Sequence, residues 1–227
     1  MNLIIQHFVP GRAGLDPDRQ MDGDMPMLVK RSMENVSEYA KKFGADYKML
    51  NGTPFRSNLS YKCQKCAIIN EEYDDYDVVV AMDTDAFFTK HCTDNVFEET
   101  GIAYSGEMQA SGSRRIKGYL PNLGNENTSF WSGAIYVLDK QTRLMMRSII
   151  NDVYESAFEV LDQKQVWDEG IFHILAAGIG IEQISLDQTW NYDSYRPGHD
   201  KANMIHVRHK PQKRDDNYRD LVKRGII

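Results

Sequence analysis

The segment DVVVAMDTDAFF, residues 77–88, constrains the fold more than any other stretch of this 227-residue chain. Residues 78–82 form an unbroken apolar run of strand length with no polar alternation. That pattern is typical of a central strand covered on both faces. The run stops at Asp83, and Asp85 follows two positions later. In layered α/β sheets ligands bind beyond the carboxyl ends of the strands. Two carboxylates one residue apart at such an end are placed to converge on one hard cation, which can then grip a diphosphate. The plainer alternative is a loop whose aspartates cap neighbouring backbone.

The rest of the chain supplies alternating strands and helices. Residues 2–9 read as a strand and 10–26 as a loop rich in Gly, Pro and Asp. A helix follows, with Val29, Met33, Val36, Ala40 and Phe43 on one stripe and Gly44 as its stop. Residues 47–50 read as a short strand, 60–73 as a helix and 102–108 as a strand. The polar, Gly-containing stretch 112–127 reads as a mobile loop. A strand is expected at 132–138, with Asp139 capping one long helix to about residue 160. Asp168 is a natural N-cap for a helix ending at Gly178, with a strand near 181–185 beyond it. The tail from Thr189 shows little periodicity. The expected fold class is α/β, one domain over 1–227, with a Rossmann-like, mixed but mostly parallel central sheet flanked by helices.

Composition removes several classes of function. Hydrophobic residues make up 41% and charged residues 26%, a globular balance. No apolar run approaches the roughly 18 residues that span a bilayer. The N-terminal MNLIIQHFVPGR lacks the basic region and cleavage site of a signal peptide, so a cytoplasmic protein is expected. A net charge of −6 argues against a general nucleic-acid binder. The charge is uneven: residues 201–214 are basic, whereas 71–77 and 152–168 are acidic. Three cysteines cannot close a disulfide framework. Cys63 and Cys66, with His91 and Cys92, could form a zinc site, but their helix-like spacing reads better as buried reduced thiols.

Two enzyme classes place Asp-x-Asp after a buried strand. Haloacid-dehalogenase phosphatases use the first Asp as nucleophile, but their motif sits on the first strand and is followed by Gly-Thr, where this chain has Ala86-Phe87. The stronger match is to GT-A nucleotide-sugar glycosyltransferases. SYKCQKCAIINEEYDDYDVVVAMDTDAFF resembles the segment of retaining GT-A families in which a helix carrying a lysine precedes the metal-binding strand. It is most similar to yeast and plant galactosyl-, mannosyl- and xylosyltransferases, and more loosely to glycogenin-like enzymes. NTSFWSGAIYV, QVWDEGIF and MIHVRHKP resemble further elements of those families in the same order. The chain departs from their pattern in a shorter His206-to-Lys210 spacing and in Glu169, where glutamine is common. With no anchor or export signal, it is more like the small soluble bacterial and viral members.

The resemblance implies a role for each matching residue. Asp83, Asp85 and His206 would hold Mn²⁺ or Mg²⁺, and Lys62 and Lys210 would neutralise the diphosphate. Gln6, His7 and Val9, at the end of the first strand, and Arg12 after them would form the nucleotide pocket. Ser132 and Gly133 would lie beneath the donor sugar, while Asp168 or Glu169 would bind it near the anomeric carbon and support reaction. Trp131, Trp167, Trp190 and Tyr192 are aromatic candidates for stacking on a sugar. The nucleotide-binding half would span about 1–108 and the acceptor and sugar half about 109–227. The implied donor is a nucleoside-diphosphate sugar, UDP favoured over GDP, and the implied acceptor a glycan or glycoside hydroxyl, with retention of configuration. A non-catalytic sugar-binding module is the alternative from a different class.

Overall fold

The computed structural model describes residues 1–9, 21–22, 25–98, 102–105, 110–128, 130, 133–181, 183–207 and 211–227. Its centre is a six-stranded sheet made of β1 (Asn2–His7), β2 (Asp46–Leu50), β3 (Val78–Met82), β5 (Ile102–Ser105), β6 (Ile135–Asp139) and β7 (Gln183–Ser185), in the spatial order β2-β1-β3-β6-β5-β7. Strand β1 runs parallel to β2 and β3, and β5 runs parallel to β7. Strand β6 is antiparallel to both β3 and β5, which makes the sheet mixed as expected. The short β4 (Ala86–Phe88) leaves this sheet and joins β8 (Tyr192–Asp193) and β9 (Met204–His206) in a separate three-stranded sheet, ordered β8-β9-β4.

Strand alternation sorts the core into two layers. Leu3, Ile5, Val79, Ala81, Tyr136 and Leu138 face the 3₁₀-helix Tyr61–Ile69, α4 (Asp152–Gln163) and α5 (Trp167–Ile179). Ile4, Val78, Val80, Met82, Ile135 and Val137 face α1 (Met27–Lys42), which contributes Val36, Tyr39 and Ala40. All five residues of β3 are buried, as an unalternating strand between two layers requires.

Several segments depart from the sequence reading. The expected loop at 112–127 begins as helix α2 (Ala110–Tyr119). Its anchors are small or single: Ile116 is fully buried, Gly112 packs where a Cβ would lie 2.1 Å from the Phe130 ring, and Ser113 Oγ donates to the Thr128 carbonyl at 2.7 Å. One large aliphatic residue in ten, Ile116, leaves no helical stripe to read. The expected single helix after Asp139 is two, α3 (Lys140–Ser148) and α4. Asp139 does cap α3, accepting from Thr142 N at 2.7 Å. Asn151 then starts a new helix by accepting from Val153 N and Tyr154 N, and the change of phase leaves Val153 at the surface.

The stretch read as a helix at 60–73 is a 3₁₀-helix followed by a short 3₁₀ turn, Glu71–Tyr73. The described part of the tail has regular structure: β8, β9 and α6 (Pro211–Lys223) cover β4 through Phe87, Ala202, Ile205, Val207 and Leu221. Cys63, Cys66 and Cys92 are all free and buried, and no second metal-ligand cluster joins them among the described residues. No helix of the described residues is long and apolar enough to cross a membrane.

Candidate active site

A cleft of ≈ 380 Å³ opens beyond the carboxyl ends of β1 and β3. The Asp83–Thr84–Asp85 turn forms its floor, and a buried polar network holds that turn from behind. Gln6 follows the β1 alternation onto the α1 side, where its Nε2 donates to Ser32 Oγ and to the Asp83 carbonyl, both at 2.9 Å. Tyr47 OH donates to Gln6 Oε1 at 2.8 Å, and Ser32 Oγ donates to the Ala86 carbonyl at 2.7 Å. Gln6 and Ser32 are fully buried with these groups satisfied, so the network fixes the turn rather than merely filling space. Gln6, read from sequence as a nucleotide contact, therefore faces the protein interior behind Asp83 and not the cleft.

The small sheet delivers the third side chain of the cluster. His206 is opposite Ala86 in the antiparallel β4–β9 register, and Val207 N donates to the Asp85 carbonyl at 2.8 Å. His206 Nε2 consequently lies 3.1 Å from Asp85 Oδ1 and 3.6 Å from Asp83 Oδ2. One ligand atom from each of Asp83, Asp85 and His206 falls within 4.8 Å of the others. Two carboxylates and one imidazole form a hard, mixed donor set that fits Mg²⁺ or Mn²⁺.

Two cations complete the electrostatics. Lys65 Nζ reaches Asp83 Oδ1 at 2.6 Å, Asp168 Oδ2 at 2.9 Å and the Gly133 carbonyl at 2.9 Å. Burial alone would favour neutral Lys65, but Asp168 and Asp83 reverse this and hold its ammonium above the usual range. Burial raises the Asp168 carboxyl above its ordinary range, with Lys65 opposing. Arg214, on α6, places Nη1 2.9 Å from Asp85 Oδ2. Burial would raise Asp85 too, but His206 and Arg214 outweigh it and hold the carboxyl well below the usual range.

The remaining sequence-derived residues fall into clear groups. His7 lines the cleft, with Nε2 2.8 Å from the Gly52 carbonyl; burial lowers its imidazole, the Gly52 contact opposes this and Lys65 adds to it. Val9 is half-buried just past β1. Gly133 lines the cleft above Tyr136, where a Cβ would lie 2.1 Å from the ring, so no side chain fits. Asp168 and Glu169 line it from the first turn of α5. Asp168 is not the N-cap: Val166 occupies that position, and the Asp168 carboxylate is turned to Lys65. Lys62 lies at the exposed rim, its Nζ 3.4 Å from the centroid of the Trp167 ring. Arg12, Ser132 and Lys210, with Trp131, lie outside the described residues. Trp190 is core, packed edge-on to Phe88. Asp215 and Asp216, the pair a phosphatase reading would need, sit on α6, where Asp216 pairs with Arg219.

Sequence reasoning did not single out Lys65 or Arg214. Lys65 was findable: in a 3₁₀-helix residues i and i+3 eclipse, so Lys62 and Lys65 share one face, one turn apart. Arg214 carried no local signal, because its partner Asp85 is far away in sequence.

The backbone around Asp168 is also unusual. Gln165 and Trp167 have φ of 57° and 34°, in the left-handed region that side chains other than glycine disfavour. This turn carries the Trp167 indole and the Asp168 carboxylate into the cleft.

No protein-family model and no curated protein matches the chain. Solved structures do. One is a glycosyltransferase involved in the glycosylation of the major capsid of PBCV-1, at 12% identity, covering 96% of this chain and 98% of that one, with a TM-score of 0.57. Another is the galactosyltransferase LgtC in complex with donor and acceptor sugar analogs, at 13% identity and a TM-score of 0.49, covering 97% of this chain and 96% of that one. The mixed six-stranded sheet, its antiparallel β6 and the flanking helices thus form the GT-A type of fold found in glycosyltransferases.

Proposed function

We propose that this chain is a metal-dependent glycosyltransferase that moves a sugar from a nucleoside-diphosphate sugar, UDP-sugar first, to a glycan or glycoside hydroxyl with retention. The observation that carries this reading is the convergence of Asp83, Asp85 and His206 at the carboxyl end of a doubly covered strand, in a cleft that also holds Lys65 and Arg214. When bound, Mn²⁺ or Mg²⁺ supplies positive charge for the departing diphosphate. Asp83, Asp85 and His206 orient that charge, and the Gln6–Ser32 network keeps the first two in place. Lys65 holds the Asp168 carboxylate at the cleft floor, where it serves the donor sugar near the anomeric carbon, with Glu169 beside it. Gly133, together with Ser132, lets the sugar approach backbone closely. His7, Val9 and Arg12 serve the nucleotide, and Lys62 and Lys210 add charge for the phosphates. In retention, the acceptor attacks the face the diphosphate leaves, and its proton passes to the leaving phosphate oxygen. The nucleotide occupies the half built by residues 1–108 and the acceptor approaches over 109–227. Three reduced thiols fit a cytoplasmic site of action.

The test is a thermal-shift screen of UDP-, GDP- and dTDP-sugars with and without Mn²⁺, followed by donor turnover read by nucleotide release. A panel in which no donor gives metal-dependent stabilisation overturns the reading. Asp85→Ala should abolish the metal-dependent shift with an unchanged circular dichroism spectrum.

A further inference from the structure

We propose that Arg214 is a diphosphate-binding residue that Asp85 holds in reserve: its guanidinium pairs with the Asp85 carboxylate while cation and donor are absent, and passes to the diphosphate when they bind. The proposal rests on the reading of this cleft as a divalent-cation and nucleoside-diphosphate site.

The geometry is specific. Asp85 divides its two oxygens between partners, Oδ1 at 3.1 Å from His206 Nε2 and Oδ2 at 2.9 Å from Arg214 Nη1. The Asp85 side chain is 12% exposed, whereas that of Arg214 is 31% exposed and lines the cleft, so the guanidinium has room to turn toward a ligand without leaving the site. Helix α6 is anchored independently of this pair: the Tyr218 ring packs 5.2 Å from that of Phe87, and Leu221 is buried beside Ile205 and Val207. Movement of Arg214 can therefore be a side-chain event on a fixed helix.

Charge balance gives the direction. Leaving His206 aside, the inner cluster of Asp83, Asp85, Asp168, Lys65 and Arg214 carries three negative and two positive charges, a net −1. A divalent cation turns that to +1 and sets a second positive charge against the guanidinium on the same carboxylate. A diphosphate bearing two negative charges then offers Arg214 a better partner in the same cleft, in the two-pronged geometry that guanidinium groups favour on phosphates. A purely structural salt bridge predicts the opposite: losing Arg214 would loosen Asp85 and weaken the cation.

Binding of Mn²⁺ alone, then of UDP and UMP at saturating Mn²⁺, measured by calorimetry on wild type, Arg214→Met, Arg214→Lys and Lys213→Met, separates these outcomes. Arg214→Met should tighten Mn²⁺ by at least about 5-fold and weaken UDP by a similar factor, the low end of couplings between binding sites. The loss should be smaller for UMP. Arg214→Lys should restore both values toward wild type. Lys213→Met removes the same charge from an exposed neighbour and should change neither. Unchanged or weaker Mn²⁺ binding in Arg214→Met, equal losses for UDP and UMP, or the same response in Lys213→Met overturns the proposal while wild-type Mn²⁺-dependent UDP binding leaves the broader reading standing. A wild type that binds neither overturns both. Matching far-UV spectra and melting temperatures exclude misfolding as the cause.

Discussion

Lys65→Met tests the electrostatic design of the cleft most directly. The Lys65 ammonium lies 2.6 Å from Asp83 and 2.9 Å from Asp168, with side chains 14%, 29% and 8% exposed respectively. Methionine keeps the stem and removes the charge, leaving two carboxylates without their shared cation. Removing one member of a buried ion pair costs about 3–5 kcal/mol, and water reaching Asp83 places this case near ~3 kcal/mol. For a chain of this size that corresponds to a fall of about 6–12 °C in Tm. The pH dependence is diagnostic. Burial already holds the Asp168 carboxyl above its ordinary range, and loss of Lys65 raises it further. A carboxyl raised in the folded state contributes stability that is present below its unfolded value and lost as pH rises through the folded one. The deficit of Lys65→Met should therefore be larger when measured at about pH 7.5 than at about pH 5, because protonation of Asp168 as pH falls removes the charge that Lys65 no longer balances. Urea denaturation in the presence of chelator measures it, and Lys65→Met/Asp168→Asn should recover part of the loss. A deficit below about 1 kcal/mol, the range of exposed pairs, or one equal at both pH values, would refute the assignment of Lys65 as the cation of this cluster.

Other perturbations probe the supporting structure. Gln6→Leu strips the buried partners of Ser32, Tyr47 and the Asp83 carbonyl, so it should cost about 2–4 kcal/mol and weaken Mn²⁺ binding, read by denaturation and calorimetry. Gly133→Ala forces a Cβ against Tyr136 and should lower stability by about 1–3 kcal/mol together with donor affinity, read by melting with and without UDP-sugar. Gln165→Gly relieves an exposed left-handed residue and should raise stability by about 1 kcal/mol, or about 2–4 °C; a lower Tm would show that the turn is not strained there.

The sequence made the centre of this protein legible and its periphery much less so. Residues 78–82 have the unbroken apolar run typical of a doubly covered strand, and Asp83 and Asp85 followed at its end by covalent connection alone. His206 was reached through the resemblance of MIHVRHKP and not through any strand pattern in the tail; the β4–β9 register is what brings it to Asp85. Helix α2 escaped because its packing relies on glycine, serine and one isoleucine, which leave no hydrophobic stripe. Choosing Lys65 over Lys62 required knowing depth, and a face shared at three-residue spacing gives direction but not depth. Gln6 was misread for a related reason: a polar residue at a strand end looks the same whether it meets a ligand or a serine on the next helix. Arg214 depends on a contact between residues 85 and 214, which no local pattern records.

The split origin of the three donor atoms has a mechanical consequence. Asp83 and Asp85 belong to a turn pinned by residues from the first third of the chain, whereas His206 rides on a three-residue strand 121 positions beyond Asp85. Anything bound to all three closes a loop of that length and ties the C-terminal layer to the central sheet. Occupancy should then govern how often that layer opens, because a ligand that holds the closed form suppresses local unfolding by mass action. Amide protons of 204–207, far from any nucleotide-base contact in sequence, become a built-in gauge of whether the centre is filled.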